Sequence, residues 1–226
     1  MKKGVFACFL IVTFICLICS VALASTPIKW KWAHHQPVGS LNDILSRSMI
    51  KEIEEKTDGT IQITLFPAGQ LGDWMEMSAQ IIRGSIDIGL MPVSPSFDQR
   101  IQIRVMPYSV MDWEEAYEAY YGEDPYIYNI LTEAMEGMGL KSLGTVAEGF
   151  GGAGFAKIPD FDVFDPKSNK KGYKMRFSPG NRSWEVFVTE MGFTPTPVPW
   201  GELYLAMQTG LVDCEIGAEP YSTWVI

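Results

Sequence analysis

The chain has 226 residues, of which 47% are hydrophobic and 20% are charged, and this composition is typical of a globular protein. It excludes a disordered, collagen-like or coiled-coil chain, and the length allows one large domain or two small ones. The formal net charge of −9 argues against nucleic acid as a partner, because phosphate binding requires a basic surface.

The first 24 residues have the pattern of a secretory signal peptide. Lys2 and Lys3 precede an apolar run, and Ala22-Leu23-Ala24 supplies the small residues of a cleavage site. Cleavage would change the net charge from −9 to −11, since both lysines leave with the signal. We expect an exported, periplasmic protein. The alternative is a membrane anchor, because the apolar stretch is close to the length that spans a bilayer.

Export would leave the protein with a single cysteine. Cys8, Cys16 and Cys19 fall in the signal, and only Cys214 belongs to the exported chain. No internal disulfide is therefore expected, and stability must come from a packed core.

Strand and helix patterns alternate along the rest of the chain. Helices are predicted after caps at Ser40, Asp73 and Asp112, from Pro125, and over 181–191 and 200–209. In the first helix, these apolar residues recur at helical spacing: Leu41, Ile44, Leu45, Met49 and Ile53. Strands are predicted over 28–33, 61–66, 86–90, 141–147, 173–177, 194–198 and 211–216. This alternation predicts an α/β fold of mostly parallel sheets flanked by helices.

A dense run of glycines, 149–154, interrupts the pattern. Glycine relaxes backbone restrictions, so the run fits a crossing between two domains, but a plain loop with close packing fits equally well. The sequence leaves both interpretations open.

Common enzyme motifs are missing from the sequence. His34 and His35 are adjacent at the end of the first strand, and strand geometry there would point their side chains to opposite faces, which does not favour a shared metal. Cys214 lies in a strand pattern, no Gly-x-Ser-x-Gly occurs, and the glycine run lacks the Lys-Ser/Thr of a phosphate-binding loop. We expect no enzyme, no cofactor and no metal.

Four segments together resemble the solute-binding subunit of tripartite ATP-independent periplasmic (TRAP) transporters. In chain order they are Phe66-Pro-Ala-Gly-Gln-Leu-Gly72, Gly84-Ser-Ile-Asp-Ile-Gly89, Gly172-Tyr-Lys-Met-Arg-Phe177, and 197–213, which reads Pro-Val-Pro-Trp-Gly-Glu-Leu-Tyr-Leu-Ala-Met-Gln-Thr-Gly-Leu-Val-Asp. Their order over nearly the whole exported chain makes the resemblance specific.

The resemblance implies a two-lobed periplasmic binding protein of type II-like fold, with a hinge between the lobes. Lobe I would cover 25–148 and an incomplete lobe II 149–226, since family chains return to the first lobe and add a bracing helix. The expected ligand is a small organic acid held in the interlobe cleft. The expected partners are the membrane permease subunits of a TRAP transporter.

Arg176 matches the arginine that grips the ligand carboxylate in that family. In the strand pattern, Tyr173, Met175 and Phe177 share one face and leave Arg176 on the other. A guanidinium pairs with a carboxylate through a planar fork that lysine cannot copy. Trp200 matches the family's aromatic contact to the ligand, and its alternative role is a core residue at the helix start.

Further candidates lie at strand ends and adjoining loops, where open α/β sheets bind ligands. They are His35, Gln36, Gln70, Trp74, Ser94 and Ser96. Glu148 is a candidate partner for a cationic ligand group, or else a hinge residue. The family's second basic residue has no counterpart in 148–155, so one basic clamp favours a monocarboxylate or mixed-polarity ligand over a dicarboxylate.

Two other functions remain open. A ligand-binding protein that feeds a sensor would share the fold and differ in its partner. A periplasmic hydrolase would need a nucleophile beside a base, and His34 and His35 are its only histidine candidates.

Overall fold

A computed structural model describes residues 26–163, 165 and 167–217. The predicted signal 1–24 and the predicted lobe II after residue 217 lie outside the described residues. The strands are β1 (Ile28–Ala33), β2 (Ile61–Phe66), β3 (Ile88–Gly89), β4 (Ala153–Phe155), β5 (Lys174–Phe177), β6 (Thr194–Pro197) and β7 (Cys214–Ile216). The α-helices are α1 (Leu41–Lys56), α2 (Trp74–Ile82), α3 (Trp113–Tyr121), α4 (Tyr126–Gly137), α5 (Arg182–Glu190) and α6 (Leu203–Gln208). Two 3-10 helices cover Gln99–Val105 and Trp200–Glu202.

The first sheet is parallel, with strand order β2-β1-β3. Helix α1 connects β1 to β2, and α2 lies between β2 and β3, as the alternating pattern predicts. The predicted caps form. The Ser40 hydroxyl accepts from the Asp43 backbone N–H, and Asp73 makes a reciprocal capping box with Glu76. The caps begin both helices where the sequence predicts, and each helix connects two strands of the parallel sheet.

Helix α1 is turned differently from what its apolar spacing suggests. Its buried residues are Asn42, Asp43 and Ser46, whereas Ile44 is 58% exposed. The cause is the Asp43 carboxylate, which accepts hydrogen bonds from the Gly39 backbone N–H and from Arg47 and contacts His34. Buried carboxylates need such partners, so this network fixes which side of the helix faces the sheet.

A small helical core follows the first sheet. The 3-10 helix Gln99–Val105, which the sequence analysis does not predict, packs against α3 and α4. The buried members of this core are Ile101, Ala119, Ile127, Leu131 and Ala134. Helices α3 and α4 begin after Asp112 and Pro125 as predicted.

The predicted strand over 141–147 is wrong. Residues 141–152 have no regular secondary structure, and Leu143 is 78% exposed. Within the described residues no strand pairs with this segment, and a strand pattern without a partner cannot satisfy its backbone groups. The next strand forms instead inside the glycine-rich stretch, where β4 pairs antiparallel with β7 in a separate sheet.

The second sheet has strand order β4-β7-β5-β6. Strand β5 is central and parallel to both β6 and β7, and Met175, Val188, Phe193 and Cys214 form its main core. Strand β6 lies at the edge of the sheet within the described part of the chain. The predicted helix 200–209 is a 3-10 turn followed by α6.

The parts of the chain that carry the two sheets touch each other. A Cβ atom at Gly180, which follows β5, would lie 2.8 Å from the Ser96 Oγ and 2.9 Å from the Met75 Sδ. The Ser183 backbone N–H, at the start of α5, donates to the Gln102 Oε1 at 2.9 Å. The α/β prediction with mostly parallel sheets flanked by helices is confirmed, while the division at residues 148 and 149 stays a prediction.

Candidate functional site

Arg176 lies in central strand β5 and is 1% exposed. Its Nε donates to the Val198 carbonyl oxygen at 2.9 Å, and its guanidinium carbon lies 5.5 Å from the centroid of the Trp200 ring. Its Nη2 is buried and has no hydrogen-bond partner among the described residues. One edge of the guanidinium is thus fixed by the protein, and an N–H group remains for another acceptor.

Arg176 is more deeply buried than expected for a strand with one face in the core and one face in solvent. Met175, Arg176 and Phe177 are all buried, so both faces of β5 are covered. Burial lowers the pKa of Arg176 to about 10, and the charge of Glu215, opposite it on β7, acts in the other direction. The side chain therefore stays cationic at neutral pH.

Trp200 begins the second 3-10 helix and is partly buried against a cluster that includes Val198 and Leu203. The Arg176 guanidinium lies over one face of this ring, and this cation–π contact orients the planar guanidinium group. The ring is thus placed beside the predicted carboxylate site through Arg176.

Both histidines follow the end of β1 at Ala33 and do not lie in the strand, and their environments differ. His34 is fully buried, and its Nε2 lies 3.3 Å from the Asp43 Oδ1. His35 has a buried Nδ1 without a partner among the described residues. Burial, helped by the charges of His34, Arg104 and Arg176, lowers the pKa of His35 to about 4. His35 is therefore neutral at pH 7 and lies within electrostatic range of two arginines.

Arg104 is the residue that the sequence analysis missed. It lies near the end of the first 3-10 helix, with its guanidinium carbon 5.6 Å from the centroid of the Trp74 ring. Its Nε is buried without a partner in the described ranges, and burial lowers its pKa to about 10. An arginine among the apolar residues Ile103, Val105 and Met106 is the signal that could have identified it.

Glu148 lies close to Arg104. Although the residue is exposed as a whole, the protein atoms around its carboxyl group raise its pKa, while Asn42, Arg104 and Gln36 act to lower it. Gln36 is buried, and its Oε1 has no partner among the described residues. Glu148, Arg104 and Gln36 thus form one polar neighbourhood.

The remaining candidates, Ser94, Ser96 and Gln70, have no contact with Arg176 among the described residues. Ser94 is buried, and its backbone N–H donates to the Ser78 Oγ at 3.1 Å, which is a structural role. Ser96 is exposed and lies beside Gly180. Gln70 is exposed in a turn, and no contact in the described part of the chain brings it to Arg176.

Six of the buried polar atoms without a partner among the described residues belong to these residues and to Asn181. They are the His35 Nδ1, Gln36 Oε1, Trp74 Nε1, Arg104 Nε, Arg176 Nη2 and Asn181 Nδ2, and others lie elsewhere, at Trp32, Ser46 and Thr132 among them. Buried polar groups in proteins nearly always have a hydrogen-bond partner, so these six atoms are candidate contacts for a polar ligand. Asn181, which follows β5 and caps α5, is a further residue that the sequence analysis did not nominate.

Other sites are less suited to this role. Concavities of about 370 and 520 Å³ lie on the part of the chain that carries the second sheet, and neither is lined by Arg176, His35 or Arg104. Within the described ranges, no group of three or more His, Cys, Asp or Glu side chains is placed to hold a metal ion. In the same ranges, no helix combines the length and the apolar character needed to cross a membrane.

Comparisons with known proteins show which family the chain resembles. Residues 33–223 match the family model described as bacterial extracellular solute-binding protein, family 7. The ectoine-binding periplasmic protein TeaA of Halomonas elongata is 26% identical over 92% of this chain and 59% of its own length. The 2,3-diketo-L-gulonate-binding periplasmic protein YiaO of Escherichia coli is 27% identical over 81% of this chain and 52% of its own.

Solved structures show the same fold. A TRAP periplasmic solute-binding protein from Polaromonas sp. JS666, bound to D-erythronate, aligns with a TM-score of 0.71 at 25% identity, over 84% of this chain and 61% of that one. The sugar acid binding protein DctPAm of Advenella mimigardefordensis, in complex with galactonate, aligns with a TM-score of 0.75 at 19% identity, over 88% and 62%. The predicted periplasmic-binding-protein fold is confirmed.

The chain spans less than two thirds of the length of these relatives. The family match nevertheless covers most of its residues, including the second sheet and the residues around Arg176. The chain belongs to family 7 of the bacterial extracellular solute-binding proteins, the family of TRAP solute-binding subunits that its sequence motifs resemble.

Proposed function

We propose that this protein binds a small organic acid and delivers it to the membrane permease of a TRAP transporter. The single observation that carries the proposal is the Arg176 guanidinium, which is buried, cationic and left with an unpartnered Nη2. A ligand carboxylate would supply the missing acceptor, and charge-assisted pairing of this kind is stronger than a neutral hydrogen bond.

The fixed geometry of Arg176 supports binding over a purely structural role. The Val198 carbonyl and the Trp200 ring hold the side chain before any ligand arrives, which reduces the entropy lost on binding. The relatives add support, since their names include 2,3-diketo-L-gulonate and the aligned structures contain D-erythronate and galactonate.

The candidate ligand contacts come from two parts of the chain, one with the second sheet and one before it. Arg176 and Trp200 belong to the part with the second sheet, whereas His35, Gln36, Trp74 and Glu148 come before it. A ligand that contacts both parts stabilises the arrangement in which they are close, so binding favours closure by a population shift. The closed form is what we propose the permease recognises.

We place this function in the periplasm, with residues 1–24 as a cleaved signal. The names of the relatives support this compartment, and the two lysines and small-residue cleavage site support the signal. We also propose that the protein does not turn its ligand over. The thiol of Cys214 is buried with a pKa raised to about 12, and His34 is engaged with Asp43, so neither is free to act as nucleophile or base. His35 is the other histidine, and among the described residues its buried Nδ1 has no hydrogen bond to a nucleophile that it could activate.

The test is isothermal titration and thermal unfolding of the full chain with a panel of small carboxylic acids. We expect at least one acid to bind and to raise the melting temperature, and Arg176→Ala to weaken its affinity by about 10- to 100-fold. Arg182→Ala is the matched control, because Arg182 is an exposed arginine whose ion-pair partner is the nearby Glu185.

Failure of every acid to bind a folded chain would contradict the proposal. Equal affinity of the wild type and Arg176→Ala would instead remove Arg176 from the site. A permease gene pair beside the coding sequence would favour transport over a sensor function.

A further inference from the structure

The N-terminal turn of α5 lies against the first 3-10 helix, which belongs to the other part of the molecule. The Ser183 backbone N–H donates to the Gln102 Oε1 at 2.9 Å, and the Ser183 hydroxyl donates to the same oxygen. The Trp184 Nε1 donates to the Val105 carbonyl oxygen at 2.7 Å. Two consecutive residues of α5 are thus hydrogen-bonded to this 3-10 helix.

The two bonded elements pack into different cores. The 3-10 helix supplies Ile101 to the helical core that it shares with α3 and α4, whereas α5 supplies Val188 to the core of the second sheet. Among the described residues, no strand of the first sheet pairs with a strand of the second. The bonds between the 3-10 helix and α5 therefore join two parts that each have a core of their own, and a movement that separates the parts breaks these bonds.

Gln102 caps α5 although the two residues that it joins are 81 positions apart in the sequence. The first backbone N–H groups of an α-helix have no acceptor within the helix. In α5, the Asn181 side chain accepts from the Trp184 N–H, and Gln102 accepts from the Ser183 N–H. Water can take the place of Gln102 when the parts separate, so α5 does not need this bond in order to form. The bond instead stabilises the arrangement of the two parts.

The chain just before α5 also touches the first part of the molecule. Gly180 has a φ of +79°, and a Cβ there would lie 2.8 Å from the Ser96 Oγ and 2.9 Å from the Met75 Sδ. Both the backbone conformation and the close approach therefore favour glycine at this position. Residues 180–184 thus form one continuous contact with the first part of the molecule.

This contact follows directly on the strand that carries Arg176. Gly180 lies four residues beyond Arg176 in the sequence. Every donor and acceptor in the hydrogen bonds between α5 and the 3-10 helix belongs to the protein, so these bonds stabilise the closed arrangement without help from a ligand. The apparent affinity of a ligand that binds the closed form depends on the fraction of the protein that is already closed.

We propose that Gln102 and Trp184 are positioning residues for ligand binding, which hold the two parts together before a ligand arrives and do not touch the ligand themselves. The effect on affinity rests on the proposed function, and the inference adds which residues set the balance between the open and closed forms. Loss of one bond shifts that balance toward the open form. The apparent affinity then falls by the same factor as the closed fraction.

The first measurement is the radius of gyration of the full chain without added ligand, by small-angle X-ray scattering. Gln102→Leu removes the acceptor and keeps a side chain of similar size, so we expect a larger radius than that of the wild type. Gln102→Glu keeps an acceptor oxygen at the N-terminal turn of α5, where negative charge is favourable, and should keep the wild-type radius. Gln208→Leu is the matched control, because Gln208 is an exposed glutamine in α6.

The second measurement is isothermal titration of the same variants with D-erythronate and with succinate. We expect Gln102→Leu to bind an acid about fivefold more weakly than the wild type, and Gln102→Glu to bind it about as well as the wild type. Trp184→Phe, which removes the donor to Val105, should change the radius and the affinity in the same direction as Gln102→Leu. The circular dichroism spectrum should be the same in all variants, because α5 keeps its cap at Asn181.

The outcomes separate this inference from the proposed function. An unchanged radius for Gln102→Leu would overturn the inference, whether or not an acid binds. An equal increase in radius for Gln102→Glu would also overturn it, since the missing acceptor would not be the cause. Acid binding that is lost in Arg176→Ala and unchanged in Gln102→Leu would overturn the inference and leave the proposed function standing. Absence of binding by every acid would contradict the proposed function, and the radius would still decide the inference.

Discussion

The indole of Trp184 donates a hydrogen bond from Nε1 to the backbone carbonyl oxygen of Val105 at 2.7 Å. Trp184 lies in α5, after the Arg176 strand, and Val105 ends the 3-10 helix that carries Arg104. The same ring packs on Gly217, where an added Cβ would lie 2.0 Å from a ring carbon. One side chain thus connects three segments that are far apart in the sequence.

Trp184→Phe tests the hydrogen bond of this contact. Phenylalanine lacks both the N–H that the Val105 carbonyl accepts from and the outer ring carbons that pack on Gly217, so we expect the free energy of unfolding to fall by about 1 kcal/mol for the hydrogen bond and further for the lost packing. Urea unfolding followed by circular dichroism measures the change. Trp113→Phe is the control, because Trp113 is 61% exposed and should change stability little. Equal stability of both variants would show that the bond contributes nothing net.

Gly217→Ala tests the close approach of the ring. Gly217 and Gly210 both have positive φ, +96° and +71°, so alanine is strained at either position. Only Gly217 also faces the Trp184 ring, whereas nothing lies within 4 Å of a Cβ at Gly210. We expect Gly217→Ala to destabilise the protein by about 1–3 kcal/mol more than Gly210→Ala, as overpacking does. The difference between their urea midpoints isolates the steric contact, and equal midpoints would contradict it.

Cys214 should be unreactive in the folded protein. Its side chain is fully buried, and burial raises the pKa of its thiol to about 12, so almost no thiolate forms at neutral pH. A chain that begins at Ser25 contains no other cysteine. We expect a thiol reagent such as DTNB to label it only after unfolding in urea. Leu211→Cys places a cysteine at an exposed position nearby and should react at once. Rapid labelling of Cys214 in the native wild type would contradict the burial.

His35 should make stability depend on pH in a defined window. Burial lowers its folded pKa to about 4 from the ordinary 6.5, so between these values the unfolded chain binds more protons than the folded one. Its contribution is fully present above pH 6.5 and is lost as the pH falls toward 4. Replacement by glutamine should reduce the loss of unfolding free energy between pH 7.5 and 4.5 by up to about 2 kcal/mol.

Urea titrations of the wild type and His35→Gln at both pH values measure this difference, and the comparison removes the contributions of the carboxylates common to both proteins. Identical pH dependence in the two proteins would mean that His35 titrates normally.

Local sequence signals predicted the parts of the fold that depend on local chemistry. Ser40, Asp73 and Asp112 cap helices where expected, and the alternation over 28–33 and 61–66 gave strands with the same bounds as β1 and β2. Arg176 and its neighbour Trp200 were found through the motif around each, and the structure brings them into contact.

Features that depend on tertiary partners were not predictable. The segment 141–147 has a strand pattern but no strand beside it among the described residues, and α1 buries Asp43 because Gly39, Arg47 and His34 converge on it. Arg104 was missed because its importance arises only from Trp74 and Glu148, which are separated from it by about 30 to 45 residues. Sequence spacing does not reveal such neighbours.

The edge strand β6 reads Thr-Pro-Thr-Pro, and its prolines have a consequence for how separate molecules meet. The backbone N–H groups of Thr194 and Val198 donate inward to Tyr173 and Phe177, so in a regular strand the nitrogens of Pro195 and Pro197 face outward. Proline has no N–H, and an edge without these donors is a poor template for the addition of another strand. Within the described part of the chain, the two prolines thus disfavour edge-to-edge pairing at β6 while its inner side stays paired with β5.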